Sequence, residues 1–188
     1  MFPLTHLVLG TGAAWGSVRL LGGLPVGWEI GENQDRDADP IDYRLVAAGT
    51  MLPDLIDKPL GLYLLRRQLG SGRIYGHTLL FGLSLVLAGS LLARRRRHGL
   101  LSLGLGVVTH ILTDQVMLLP RTFLWPLGGF RFRKQRRLER WGLRMLRRYY
   151  RDPQVMRSEG SALLVLLAFG SHLSRSRRLG RFLRGGRL

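Results

Sequence analysis

The stretch GHTLLFGLSLVLAGSLLARRRRHGLLSLGLGVVTHILTDQVMLL (76–119) decides the fold. Its first arm, 76–93, has no formally charged residue beyond the titratable His77, and its second, 99–119, carries only His110 and Asp114. A helix needs about 20 mostly apolar residues to cross a hydrocarbon core, and both arms suit that length. Arg94–Arg97 form a tight basic turn between them, so the expectation is a transmembrane helical hairpin. His77 lies seventeen residues before Arg94 and Asp114 seventeen after Arg97, which puts them at one depth in antiparallel packing. His110 and Asp114 are four apart and share a helix face. A carboxylate at such a depth costs about 2.5–3.5 kcal/mol on insertion scales and calls for a compensating partner. That partner is either a metal or a salt bridge to Arg73 or Arg121.

Outward from the hairpin, residues 5–25 and 43–65 are further apolar segments, the second interrupted by Pro53 and Pro59. Proline there is expected to kink or break the helix, which membrane proteins tolerate where the freed carbonyls face protein or water. If 5–25 crosses once and 43–57 returns, His6 and Asp54 arrive on the side that holds His77, His110 and Asp114. Two carboxylates and three imidazoles suit a borderline divalent ion, with zinc first and manganese or iron as alternatives. Asp57, three residues after Asp54, is a further ligand, a bridge between two metals or a general base. Each residue also has a plainer reading. Asp54 and Asp57 flank prolines, where helix capping is common, and His6 and His77 also suit helix ends at the headgroup layer.

Composition agrees with a membrane protein. The chain has 188 residues, 46% of them hydrophobic, yet 29 Lys and Arg stand against 12 acids for a net charge of +17. Such basicity points to nucleic acid or an anionic membrane, and the long uncharged arms favour the membrane. There is no cysteine, hence no disulfide framework and no thiolate site. The first basic residue is Arg19, which suits an uncleaved first helix better than a cleaved signal peptide. In the acidic loop 28–43, Asp35, Asp37 and Asp39 mimic the start of a calcium loop. Pro40 stands where that loop needs Gly, and Val46 where it needs Glu. A solvated loop is the better account.

The fold expected is an all-α polytopic bundle of about four to five membrane helices, with the site domain over 1–129. The basic half, 130–188, follows. In 130–151, Leu138, Trp141, Met145 and Tyr149 recur at helical spacing beside Arg137, Arg140, Arg144, Arg147 and Arg151. This reads as an interfacial amphipathic helix whose partner is anionic lipid headgroups rather than nucleic acid. Residues 161–173 are apolar but short for a span, and the Arg-rich tail from Ser174 is expected to be mobile. The basic residues near the site side place it toward the cytoplasm by the positive-inside bias.

Several pieces together carry a resemblance: THLVLG (5–10), MLPDLIDKP (51–59), GRIYGHTLLF (72–81), VTHILTDQ (108–115) and FLWP (123–126). In this order they resemble the YdjM-like family, labelled membrane-bound metal-dependent hydrolases of the prokaryotic inner membrane. The resemblance implies His6, Asp54, His77, His110 and Asp114 as site residues, with Arg73 nearby to bind an anion. Many members carry a further His where this chain has Gly72, so one ion is expected rather than two. The function expected is hydrolysis of a lipid ester or phosphoester by metal-activated water, with Asp57 as general base. The alternative is a non-enzymatic adaptor that binds a cytosolic partner, such as a DNA-damage repressor, through its Arg-rich surface.

Overall fold

A computed structural model describes residues 3–21, 41–93, 98–134 and 141–186. The acidic residues 28–40, the Arg94–Arg97 turn, and Arg137, Leu138 and Arg140 of the expected basic stripe lie outside the described residues. Within them the chain is all-helical, with eight α-helices and no strand. They are α1 (Pro3–Leu21), α2 (Tyr43–Pro59), α3 (Leu79–Ala93), α4 (Gly99–Thr113), the single turn α5 (Pro120–Phe123), α6 (Trp141–Arg151), α7 (Pro153–Arg175) and α8 (Leu179–Gly185).

α4 is the central helix, packed between α2 and α3 and touching α1. Small residues make this position available. A Cβ on Gly49 would collide with the Leu103 carbonyl and crowd the Gly106 Cα, and one on Gly106 would meet the Val46 carbonyl. The backbones of α2 and α4 are therefore in direct contact. Gly89 and Gly104 play the same part between α3 and α4, where added Cβ atoms would strike Leu101 and the Leu85–Val86 backbone. Close backbone approach through glycine is a recurrent way to pair helices in an apolar environment, where lipid removes the hydrophobic drive. Val107, Ile111 and Val116 form a buried cluster with Leu52, Phe81, Leu85 and Phe123 against it.

The helices are shorter than the apolar segments that contain them. α3 and α4 have 15 residues each, about 22 Å at 1.5 Å per residue. No helix among the described residues is long and apolar enough to cross a membrane. Local chemistry ends both helices. Thr78 is extended and its Oγ1 accepts from Phe81 N at 3.1 Å, capping α3. Gln115 takes a left-handed conformation (φ 53) and ends α4 after Asp114. Pro53, expected to break its helix, lies inside a continuous α2, and a π-helical turn, Leu60–Leu64, follows Pro59.

The basic half also departs from expectation. Residues 131–134 are not helical, because Phe132 is buried against Tyr75 and Trp125, with ring centroids 5.0 and 6.0 Å away. Among the described residues the amphipathic helix is α6, Trp141–Arg151. The apolar segment 161–173 belongs to the 23-residue α7, whose start is bonded to the start of α1. The tail, expected to be mobile, forms α8. Phe182 packs with Ile41, Tyr43 and Val46, and Gly186 O accepts from Tyr43 N at 2.9 Å. α7 therefore runs parallel to α1 from the His6 end of the bundle to the end where α2 begins.

The backbone contact supplies a test. Gly106→Ala should cost about 1–3 kcal/mol, the usual range for overpacking, read as a fall in the unfolding midpoint in detergent. Gly12→Ala, in a helix with nothing within 4 Å of the new Cβ, should instead be neutral or stabilise by up to about 1 kcal/mol.

Candidate metal centre

The site starts from a carboxylate that sequence reading assigned otherwise. Asp57 is 0% exposed. Its Oδ2 accepts from Ile74 N (2.6 Å), His77 N (3.2 Å) and His77 Nδ1 (2.7 Å), and its Oδ1 from Gly76 N (2.8 Å). Four donors on two oxygens satisfy a charge that would otherwise be costly to bury. They also bind the 74–78 segment, whose only regular structure is the single 3-10 turn Tyr75–His77, to α2.

The tautomers follow from these partners. His77 gives its Nδ1 proton to Asp57, so its Nε2 presents a lone pair. His110 gives its Nδ1 proton to the Thr50 carbonyl at 2.6 Å, and a carbonyl can only accept. Its Nε2 is therefore also a lone pair. His6 repeats the pattern. The Thr113 hydroxyl donates to the carbonyls of Thr109 and His110 (2.9 and 3.1 Å), so it accepts from His6 Nδ1 at 3.1 Å.

The free nitrogens converge. His77 Nε2 and His110 Nε2 stand 3.2 Å apart, and with both rings neutral and protonated at Nδ1 neither of these nitrogens carries a proton. Asp54 Oδ1 is 3.6 Å from His77 Nε2, and Asp54, His77 and His110 offer ligand atoms all within 4.8 Å of one another. This group could hold a metal ion. Two nitrogens of a tetrahedral site with bonds of about 2.0–2.1 Å lie about 3.3–3.4 Å apart, close to the separation seen. The ligand types suit zinc and other borderline divalent ions.

The five expected ligands thus divide into a group and a flank. His6 stacks on His110, with centroids 4.4 Å apart and planes at 26°. Its Nε2 is 3.8 Å from Asp114 Oδ1, while Asp114 Oδ2 is 3.9 Å from His77 Nε2. Two cations hold the outer carboxylate oxygens. Lys58 Nζ donates to Asp54 Oδ2 and Arg73 Nε to Asp114 Oδ2, both at 2.5 Å. Arg73 was expected to bind an external anion, and here its Nε serves Asp114, the salt bridge named above as the alternative to a metal partner. Sequence reading missed Thr50 and Thr113, whose roles come from across the bundle, and Glu159. The one available signal for Glu159 was a lone acid in an otherwise apolar and basic segment.

A family described as YdjM inner membrane protein matches residues 1–176, and the chain belongs to it. No curated protein and no solved structure matches the chain. The family places the protein in a membrane.

The tautomers can be tested directly. Nitrogen-15 imidazole spectra of metal-free protein near neutral pH should show His6, His77 and His110 protonated at Nδ1 and bare at Nε2. A ring bare at Nδ1 and protonated at Nε2, in His77 or His110, would remove the ligand pair.

Proposed function

From membership of that family, we propose that the protein is a polytopic inner-membrane bundle with a metal-dependent hydrolase centre. Asp54, His77 and His110 hold one divalent ion, zinc first. The observation that carries this is the pair of Nε2 atoms 3.2 Å apart, on rings whose Nδ1 atoms each face an oxygen acceptor. In the neutral rings two lone pairs would face each other, and a cation between them removes the conflict. Bound there, such an ion would polarise a scissile ester or phosphoester and bring the pKa of its water near neutrality. Asp57, with both oxygens taken by four donors, orients His77 in the manner of a carboxylate–histidine pair. The general-base role passes to Asp114, which stands beside the free nitrogens and is steadied by Arg73.

The membrane reading rests on exposed surface as well as on the family. Leu80, Leu83, Leu87 and Leu91 form an exposed stripe along α3, and Leu163, Leu164 and Leu167 another on α7. Patches of this extent are out of place in water. The span of α3 is extended by Tyr75–Thr78, where Gly76, His77 and Thr78 are buried in the bundle as irregular backbone at depth requires. That of α4 is extended by Asp114–Leu118, of which Val116 is buried and Met117 and Leu118 are exposed. Leu127, 93% exposed, and Phe130 project beside Arg131 and Arg133, a pattern suited to the headgroup boundary. On α6, Leu143, Leu146 and Tyr150 are exposed among Arg144, Arg147 and Arg148, which favours anionic lipid as its partner. That setting makes a lipid ester or phosphoester the substrate class.

α7 is the fifth crossing. From Glu159 to Arg175 it covers about 24 Å, the depth that α4 covers, and it delivers α8 to the opposite end. Arg177, Arg178, Arg181 and Arg184 then join the α3–α4 connection at that end. The basic excess behind the expected cytoplasmic opening is largely cancelled.

Purified protein should hold about one divalent ion, lost on chelation and in His110→Ala, and wild type but not His110→Ala should hydrolyse a phospholipid panel. Well-folded protein without metal above background would refute the centre and leave the adaptor reading. For topology, Gln68→Cys and Ser176→Cys, both at exposed positions in this cysteine-free chain, should react with an impermeant thiol reagent from opposite sides of the membrane. Labelling from one side would return α7 to the surface.

A further inference from the structure

Glu159 sits in the second turn of α7 and is 4% exposed. Its Oε2 accepts from Leu4 N at 3.1 Å, and its Oε1 from Thr5 N at 2.9 Å and Thr5 Oγ1 at 2.5 Å. The donors are 154 and 155 residues away in the chain. The first N–H groups of a helix have no partner within it, and that end carries the positive pole of the helix dipole. Glu159 meets both needs at once, as an N-cap supplied by another helix. A buried carboxylate is costly unless its hydrogen bonds are filled, and here they are filled by the turn that contains His6.

Gly10 has no side chain to engage, and it abuts Thr50 Cγ2 and Thr109 Oγ1 as a smooth surface. His6 nevertheless needs a definite depth, because its ring must lie over His110 and its Nδ1 must reach Thr113. A shift of one residue, about 1.5 Å along the axis and 100° around it, would lose both.

We propose that Glu159 is a positioning residue of the centre, setting His6 against His110 and Asp114 by clamping the first turn of α1. The inference rests on the metal-centre reading only in that His6 then contributes to ion affinity. The clamp itself is independent of the ion. It makes α7 part of the site, although the helix carries none of the proposed ligands.

The test has two arms on full-length protein in detergent. In the first, zinc affinity is measured by competition with a chromophoric chelator. Glu159→Gln and Glu159→Ala should weaken binding by about 10- to 100-fold, the usual effect of losing a group that orients a ligand, here through His6 stacked on the ligand His110. Glu159→Asp should recover part of the loss, and in a His6→Ala background Glu159→Ala should have little further effect. In the second, diethyl pyrocarbonate modification of His6 is followed by mass spectrometry in zinc-free protein. His6, 2% exposed, should be protected in wild type and reactive in both Glu159→Gln and Glu159→Ala. Unchanged protection in the folded glutamine variant, or an equal affinity loss with and without His6, would overturn the proposal. Wild type that binds no zinc would refute the metal centre alone, and His6 protection would still decide the clamp.

Discussion

Gly49 and Gly106 let the backbones of α2 and α4 touch, and the centre depends on that contact. Thr50 follows Gly49, and its carbonyl reaches the His110 ring because no side chain separates the helices. Four residues after Gly106, His110 stands on the same face of α4, one turn further along. Wider spacing would take away the acceptor that fixes the His110 tautomer, and with it the orientation of Nε2. A glycine crossing is thus linked to the protonation state of a ring one turn away.

Two buried carboxylates complete the frame, and both are satisfied mainly by backbone N–H groups. Asp57 collects the unpaired donors of the 74–77 segment, and Glu159 those at the start of α1. In a poorly polar interior such bonds are stronger than in water, and the penalty for leaving them unmade is larger. Each carboxylate therefore holds an irregular or terminal piece of chain in one arrangement. Asp57 turns the His77 ring, and Glu159 holds the turn of His6. Asp54 and Asp114, by contrast, each give one oxygen to a cation and turn the other toward a histidine nitrogen.

Ending α3 and α4 at 15 residues each is the structural cost of this arrangement. A regular helix through 74–78 would use the N–H groups that Asp57 accepts, and one through 114–118 would carry Asp114 past the cluster. Thr78 and Gln115 stop the helices at the level of the site. The break before α3 turns His77 and Thr78 into the bundle, where both are buried.

By itself the sequence determined the helical class, the apolar segments and the common depth of His77 and Asp114, because these follow from periodicity and from counting along a hairpin. It also marked Asp54, His77 and His110 as chemically notable, since polar side chains in apolar segments need a reason. The tertiary structure decided what those residues do. Asp57 and Asp54 are three apart with the same side chain, and only the partner segment separates an orienting carboxylate from one facing the nitrogens. Thr50, Thr113 and Glu159 gain their roles from bonds to residues 60, 107 and up to 155 positions away. Segment 161–173 looked too short to cross, yet α7 runs the depth of the bundle, because its first two turns are polar and find their partners on α1. Hydrogen bonds between distant helices depend on which helices are neighbours, and local pattern does not encode that.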